Sequence, residues 1–489
     1  MVTDRHGGTP GAILWHARRT PHAVAVVEAG RRLTWQAVAD QLAWTVGYLE
    51  AGGIRRGMLV GVEMGSRRHA TLLLLLACEV LGATATAFAR PDLGQDDPVL
   101  PGCERLILIG TELAADGCPG RPSAATVIVP NDFPDMIRGP VSHHRLSEPP
   151  DAERIVRISR TSGSTGRPKA VPITYAVQQR IIAQRMASVP EDVAAKARFL
   201  CLYSLSVRGV YTRAYAALQA GGTVFFAHRE DLPALLAAGA VNWVLTIVGD
   251  AQAIAVQADR PCGDATLLYE MIGARVPRAL RALLRRRLGA TVQVTYSSNE
   301  TNTVSFTDDD DVGTLVPGAE ARIVDAEGRA VPMGETGLIR VRTATMATGY
   351  WNDPVQTAAA FVDGWYHTND VGFIPAPGRL VVHGRSDDML NVGGIKVPPG
   401  PIEDELKALP DIRDAALISI AGPTGDDTLL VAAEVGADVS MDGLRAAVGP
   451  IVQRYVQSFA LLPLPSFPRT DTGKIRRGEI EAAFRRRLT

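Results

Sequence analysis

Short apolar runs alternating with helical patterns recur twice along the N-terminal part of this chain, and that alternation limits its fold more than any other feature. Residues 23–27 precede a helical pattern at 35–51, then an apolar run at 59–62 and a strongly apolar segment at 71–88. The second series, from 199 to 296, has apolar runs at 223–227 and 241–248 and a basic helix at 277–288. Strand followed by helix, repeated, builds a parallel sheet with crossover helices. Residues 72–76 are all leucine, but Glu79 and Gly82 interrupt the segment and it is only marginally long for a membrane span. It reads as a buried helix running into an Ala/Thr-rich strand.

Beyond Val316 the pattern changes to short β-like runs at 321–324, 337–341 and 379–382, joined by Gly, Pro and Asp turns. After Gly384 comes a last α/β stretch, with a helix at 401–409 and strands at 415–420 and 428–435. At 489 residues the chain has room for roughly two to four folding units. The expected fold class is α/β: an N-terminal region, 1–383, of two α/β subdomains plus a β-rich subdomain, and a small C-terminal α+β domain, 384–489.

Acidic and basic residues nearly cancel, to a formal net charge of −1, which argues against nucleic acid as a partner. The first twenty residues carry no apolar stretch like that of a signal peptide, so a cytoplasmic protein without a membrane anchor is expected. Cys78, Cys103, Cys118, Cys201 and Cys262 are scattered without C-x-x-C spacing and read as reduced, structural residues.

The chemistry concentrates in Thr161-Ser-Gly-Ser-Thr-Gly-Arg-Pro-Lys169, entered from a strand at 155–159. Small hydroxyl residues and glycines let backbone N–H groups close around phosphate oxygens, and Lys169 adds a positive charge. The spacing is neither G-x-x-x-x-G-K-[ST] nor G-x-G-x-x-G, which excludes the P-loop and dinucleotide-binding readings.

This loop resembles the phosphate-binding signature of the adenylate-forming superfamily of acyl-CoA synthetases, nonribosomal-peptide adenylation domains and luciferases. Further segments match in order: Gly334-Glu-Thr-Gly337, Gly349-Tyr-Trp-Asn-Asp-Pro354, Asp363-Gly-Trp-Tyr-His-Thr-Asn-Asp370, Gly384-Arg-Ser-Asp-Asp388 and Pro468-Arg-Thr-Asp-Thr-Gly-Lys474. The resemblance implies that ATP is bound by Thr161, Ser162, Gly163, Ser164, Thr165, Gly166, Lys169, Gly273, Ala274, Tyr296, Ser297, Ser298 and Asn299. It also implies Asp370 on the ribose hydroxyls and Arg385 on ribose or phosphate. Glu300, with Thr165, would hold Mg²⁺, for which oxygen ligands are suited. Lys474 would be catalytic, placing its ammonium between the attacking carboxylate and the α-phosphate. Asp387 would be the hinge about which a mobile C-terminal domain rotates, bringing Gly393, Gly394 and Lys396 to the site for a thiol.

Some positions depart from the family pattern. Ser297 and Asn299 stand where Gly and Thr are usual, and Asn369 where Gly usually precedes the ribose aspartate; Asn tolerates left-handed backbone better than most residues. In the expected acyl pocket Ser206 stands where many relatives have an aromatic residue or His. No acidic residue lies between Leu202 and Thr223, which argues against an α-amino acid substrate. Arg208 or Arg213 could instead pair with an extra anionic group, or either could be structural.

The expected activity is ATP-dependent conversion of a small-molecule carboxylic acid to acyl-AMP and transfer of the acyl group to a thiol, that of CoA. One alternative is a stand-alone adenylation enzyme serving a carrier protein or a nitrogen nucleophile, and another is a non-catalytic nucleotide-binding homologue. The acidic run 308–311 is expected to be a solvated loop, and Arg285, Arg286 and Arg287 to be plain surface.

Overall fold

The computed structural model describes residues 6–65, 68–89, 97–110, 125–134, 141–161, 168–258, 266–273, 275–392, 395–420, 428–436, 438–468 and 475–488. Two large sheets dominate. The smaller runs in the order Ala125–Val129, Arg105–Ile109, Leu59–Glu63, Thr84–Phe88, Ile155–Thr161, Lys169–Thr174, parallel except for its last, antiparallel pair. In the larger sheet the strands Val24–Glu28, Thr223–Phe226, Arg198–Cys201, Trp243–Thr246, Leu267–Met271 and Ala290–Ser298 are parallel neighbours in that order. It then continues antiparallel through Asn302–Thr307, Gly313–Leu315, Arg379–Arg385, Trp365–Phe373, Gly337–Arg342 and Glu320–Val324.

Two details differ from the sequence expectation. The run 23–27 does not join the strands at 59–63 and 84–88; it pairs across the other sheet, Val26 opposite Val224. Periodicity identifies a strand but carries no information about which sheet completes it. The β-rich part is not a detached sheet either, because Ala290–Ser298 turns back on itself and the antiparallel strands extend the parallel ones.

Between the two sheets lie the helices Trp35–Ala51, Arg68–Val80 and Arg208–Gln219. One apolar core joins Val60 and Val62 of the smaller sheet, Leu72–Leu76, and Phe199, Val224 and Trp243 of the larger. The leucine run is therefore apolar all round because both of its faces are covered, and Glu79 in the same helix accepts from Gln178 Nε2 at 2.8 Å. No helix of the described residues is long and apolar enough to cross a membrane. Cys78, Cys103 and Cys201 are buried free thiols, each pushed up to about 12 by burial; Cys118 and Cys262 lie outside the described residues.

The C-terminal part packs the helices Pro399–Lys407 and Met441–Val452 against a sheet of Ile412–Ile420, Thr428–Val435 and Phe459–Leu464, around Ile402, Leu406, Leu417, Val431 and Val448. The acidic run is only in part the solvated loop its composition suggests, since Asp309 and Asp310 are exposed but most of its carboxylates are paired with arginines. Asp311 pairs with Arg275 at 3.0 Å and Arg278 at 2.8 Å, and also with the buried Arg281. Asp309 meets Arg285 at 2.5 Å, so that arginine too has a structural partner. Arg275 also pairs with Asp404 of the helix Pro399–Lys407, tying the two parts together.

Buried between the helix Arg208–Gln219 and the larger sheet, Arg213 and Glu270 form a two-pronged ion pair, Nε to Oε2 at 2.6 Å and Nη2 to Oε1 at 2.8 Å. Trp243 Nε1 donates to the same carboxylate. Burial pushes the Glu270 carboxyl up, but the Arg213 guanidinium outweighs it and the net direction is downward. Its stabilisation is therefore present above the unfolded value of about 4.3 and lost as pH falls through the lower folded value. Removing one partner strands a buried charge, so Arg213→Met is expected to cost about 3–5 kcal/mol in urea denaturation, and adding Glu270→Gln to recover part of it.

Candidate active site

The glycine-rich loop connects two strands of one hairpin, with Thr161 directly opposite Lys169. Residues 162–167 lie outside the described residues, so Ser162, Gly163, Ser164, Thr165 and Gly166 are not placed, and only the backbone of Thr161 is. Lys169 opens the returning strand, its ammonium 4.9 Å from the centre of the Tyr350 ring. That contact is set by the backbone, since Trp351 N–H donates to the Ala170 carbonyl at 2.8 Å. Gly349 is required beside it, because a Cβ there would stand 2.5 Å from Thr357 Cγ2.

Tyr350 reaches from this seam to the larger sheet and donates to Glu300 Oε1 at 3.0 Å. Glu300 is buried at the tip of the turn between Ala290–Ser298 and Asn302–Thr307. Ser298 Oγ holds this turn by accepting from the N–H groups of Glu300 (3.2 Å) and Thr301 (3.1 Å). Ser297 pairs with Thr303 across the same hairpin. Asn299 Nδ2 donates to the carbonyl of Arg160, next to the loop, at 3.2 Å. The substitution of Asn for Thr therefore supplies a bond between the two sheets.

A few residues away, Tyr296 donates its hydroxyl to Asp370 Oδ2 at 2.5 Å, and Arg385 lies across from Asp370 with Nε 3.6 Å from Oδ1. Burial, followed by the charge of the nearby carboxylate, raises the hydroxyls of Tyr296, Tyr350 and Tyr366 above the ordinary tyrosine value. They are neutral donors at physiological pH, fixing the carboxylates of Glu300 and Asp370 without adding charge. Tyr350 and Tyr366 were not among the residues singled out from sequence, although both lie inside quoted motifs; an apolar-looking aromatic gives no sign there that its hydroxyl faces a carboxylate.

Asn369 adopts the left-handed conformation, φ 61°. Its side chain adds two bonds, accepting from Ser386 Oγ at 2.6 Å and donating to Asp387 Oδ2 at 2.8 Å. Gly273, φ 91°, has nothing within 4 Å of the position a Cβ would take. Ser206 lies half-buried, its hydroxyl 2.9 Å from Ser204 Oγ. Arg208 and Arg213 are both buried in the helix that follows. Arg213 is committed to Glu270, which removes it as a candidate for an extra substrate group.

Ala274, Gly393, Gly394 and Lys474 lie outside the described residues, and Lys396 is described in its backbone alone, within the hairpin strand Ile395–Val397. Among the described residues no three His, Cys, Asp or Glu side chains gather as a metal cage. A single buried carboxylate close to the strand ends that flank the glycine-rich loop fits Mg²⁺, which commonly takes one or two protein carboxylates and completes its shell with phosphate oxygens and water.

Comparison with known proteins gives the same family. A feruloyl-CoA synthase of Amycolatopsis sp is 28% identical, over 96% of this chain and 97% of its own length. A salicylyl-CoA synthase / salicylate adenylyltransferase of Streptomyces sp is 27% identical, over 92% and 89%. Among solved structures, apo MatB from Rhodopseudomonas palustris superposes with a TM-score of 0.80 at 18% identity, over 98% of this chain and 99% of its own, a likeness of fold. The profile of the AMP-binding enzyme family matches residues 13–351, and the chain belongs to that family.

Proposed function

We propose that this protein is an AMP-forming acid–thiol ligase acting on a small carboxylic acid in the cytoplasm, with CoA as the thiol. In the first step a carboxylate oxygen bonds to the α-phosphorus of ATP as the bond to pyrophosphate breaks, giving acyl-AMP. In the second the thiol sulfur bonds to the acyl carbon, its proton is lost to solvent, and AMP leaves with the electron pair. The observation that carries this reading is the Lys169–Tyr350–Glu300 cluster, which brings a cation and an oriented carboxylate from separate sheets to the end of the glycine-rich loop.

In this reading the loop 161–169 cradles the phosphates, and Asp370, steadied by Tyr296, accepts from the ribose hydroxyls. Arg385 lies beside it. Glu300, with Thr165, would hold Mg²⁺, which when bound offsets charge on the triphosphate oxygens. Lys474 stabilises the charge that builds between carboxylate and α-phosphate. Residues 384–489 act as a mobile domain turning about Asp387, with Gly393, Gly394 and Lys396 facing the site for thiol transfer. A carrier-protein thiol or a nitrogen nucleophile is the alternative acceptor, and the Streptomyces relative has both synthase and adenylyltransferase in its name.

Pyrophosphate release from ATP and Mg²⁺, measured across aliphatic, aryl and dicarboxylic acids with and without CoA, tests the reading. Acid-dependent release is expected, stimulated by CoA, and Lys474→Ala should lower it by about 10²- to 10³-fold. Release without dependence on any acid would overturn the reading. Asp370→Ala removes two acceptor bonds to the ribose and is expected to raise KM for ATP by about tenfold or more in steady-state kinetics. Glu300→Gln is expected to raise the Mg²⁺ concentration needed for half-maximal rate.

A further inference from the structure

Two arginines of the helix Arg208–Gln219 are equally buried and differently partnered. Arg213 has its carboxylate, Glu270. Arg208 is 3% exposed, and its Nε, Nη1 and Nη2 are all buried without a hydrogen-bond partner. A guanidinium withdrawn from water and left unpaired is strongly unfavourable, so such a group is kept where something else completes it.

The surroundings show the sign of what is missing. Tyr211, one turn along the helix, has a buried hydroxyl that also lacks a partner. Glu300 is the carboxylate within electrostatic reach of Arg208. Arg185 is a second buried guanidinium in reach, bonded to Asn302 Oδ1 at 3.0 Å and with Nε and Nη1 unpartnered. With Glu270 held by Arg213 on both oxygens, positive charge is in excess around Arg208. Gly209 packs tightly on Ile272, where a Cβ would stand 3.2 Å from Ile272 Cδ1, and the residue after Ile272, Gly273, has nothing within 4 Å of its Cβ position.

We infer that Arg208 receives a second carboxylate of the acid, distinct from the one activated, so that the substrates are dicarboxylic acids. The planar fork of a guanidinium matches a carboxylate through two parallel bonds, and the Tyr211 hydroxyl supplies a further donor. The activated carboxylate is a poor candidate for this place. It must act as a nucleophile and lose its charge, and a fixed ion pair would stabilise the ground state over the transition state. The phosphates already have Lys169 and the glycine-rich loop.

The inference rests on the acid-activation reading, and one experiment separates the two. ATP–pyrophosphate exchange is measured with matched pairs, a straight-chain dicarboxylate against the monocarboxylate of equal length and a benzene dicarboxylate against benzoate, for the wild type, Arg208→Met and Arg208→Lys. The wild type is expected to favour diacids in kcat/KM by about 100-fold or more, because a site built for a polar group rejects an analogue lacking it. Arg208→Met should bring that ratio close to one, with Arg208→Lys in between. A wild type that uses monoacids as well as diacids would overturn the inference and leave the ligase reading intact, as would Arg208→Met lowering both by the same factor. Should Arg208→Met fail to fold by circular dichroism, the wild-type ratio and Arg208→Lys decide. Exchange with no acid of either kind would overturn the ligase reading itself.

Discussion

The site depends on one backbone hydrogen bond, from the N–H of Trp351 to the carbonyl of Ala170. The strands flanking the glycine-rich loop belong to the smaller sheet, whereas Glu300, Asp370 and Arg385 belong to the larger. Nothing in the pairing within either sheet fixes the distance between them. Beside the apolar core between them, the segment after Gly349 does, because Trp351 is pinned to the edge strand of one sheet while its neighbour Tyr350 reaches into the other. Asn299 adds a second tie, from the Glu300 turn to the start of the loop. Residues far apart in sequence thus tie the two sheets together without a disulfide among the described cysteines.

The electrostatic arrangement follows from that seam. The two carboxylates of the candidate site are each held by a neutral tyrosine donor. Glu300 is fixed by Tyr350, and Asp370 by Tyr296. Deeper in, buried arginines and carboxylates are matched where the fold needs them matched, as in Arg213 with Glu270. Arg208, on the same helix as Arg213, has no such match among the described residues.

Much of the fold was legible from periodicity: the helix at 35–51 was placed to the residue, and the strands at 415–420 and 428–435 nearly so. Sheet membership was not legible, because the first strand, Val24–Glu28, finds its neighbour some two hundred residues downstream and local pattern cannot encode that partner. At the site, the motifs located Glu300, Asp370, Lys169 and Tyr296, but Tyr350, which orients Glu300, shows no sequence signal beyond membership in its motif. Arg208 and Arg213 looked alike from sequence. Only the position of Glu270, on a separate strand, distinguishes them. The acidic run 308–311 likewise looked solvated because its arginine partners lie mainly on a helix some thirty residues earlier.

Arg275 joins the N-terminal part to the helix Pro399–Lys407 through Asp404 while sharing Asp311 with its own neighbours. Partly exposed ion pairs of this kind act over a range set by dissolved salt, about 8 Å at physiological ionic strength. The join is therefore softer than the apolar cores on either side, and its stiffness can be tuned from solution without changing a residue: dilute buffer tightens the coupling between the two parts, and concentrated salt loosens it.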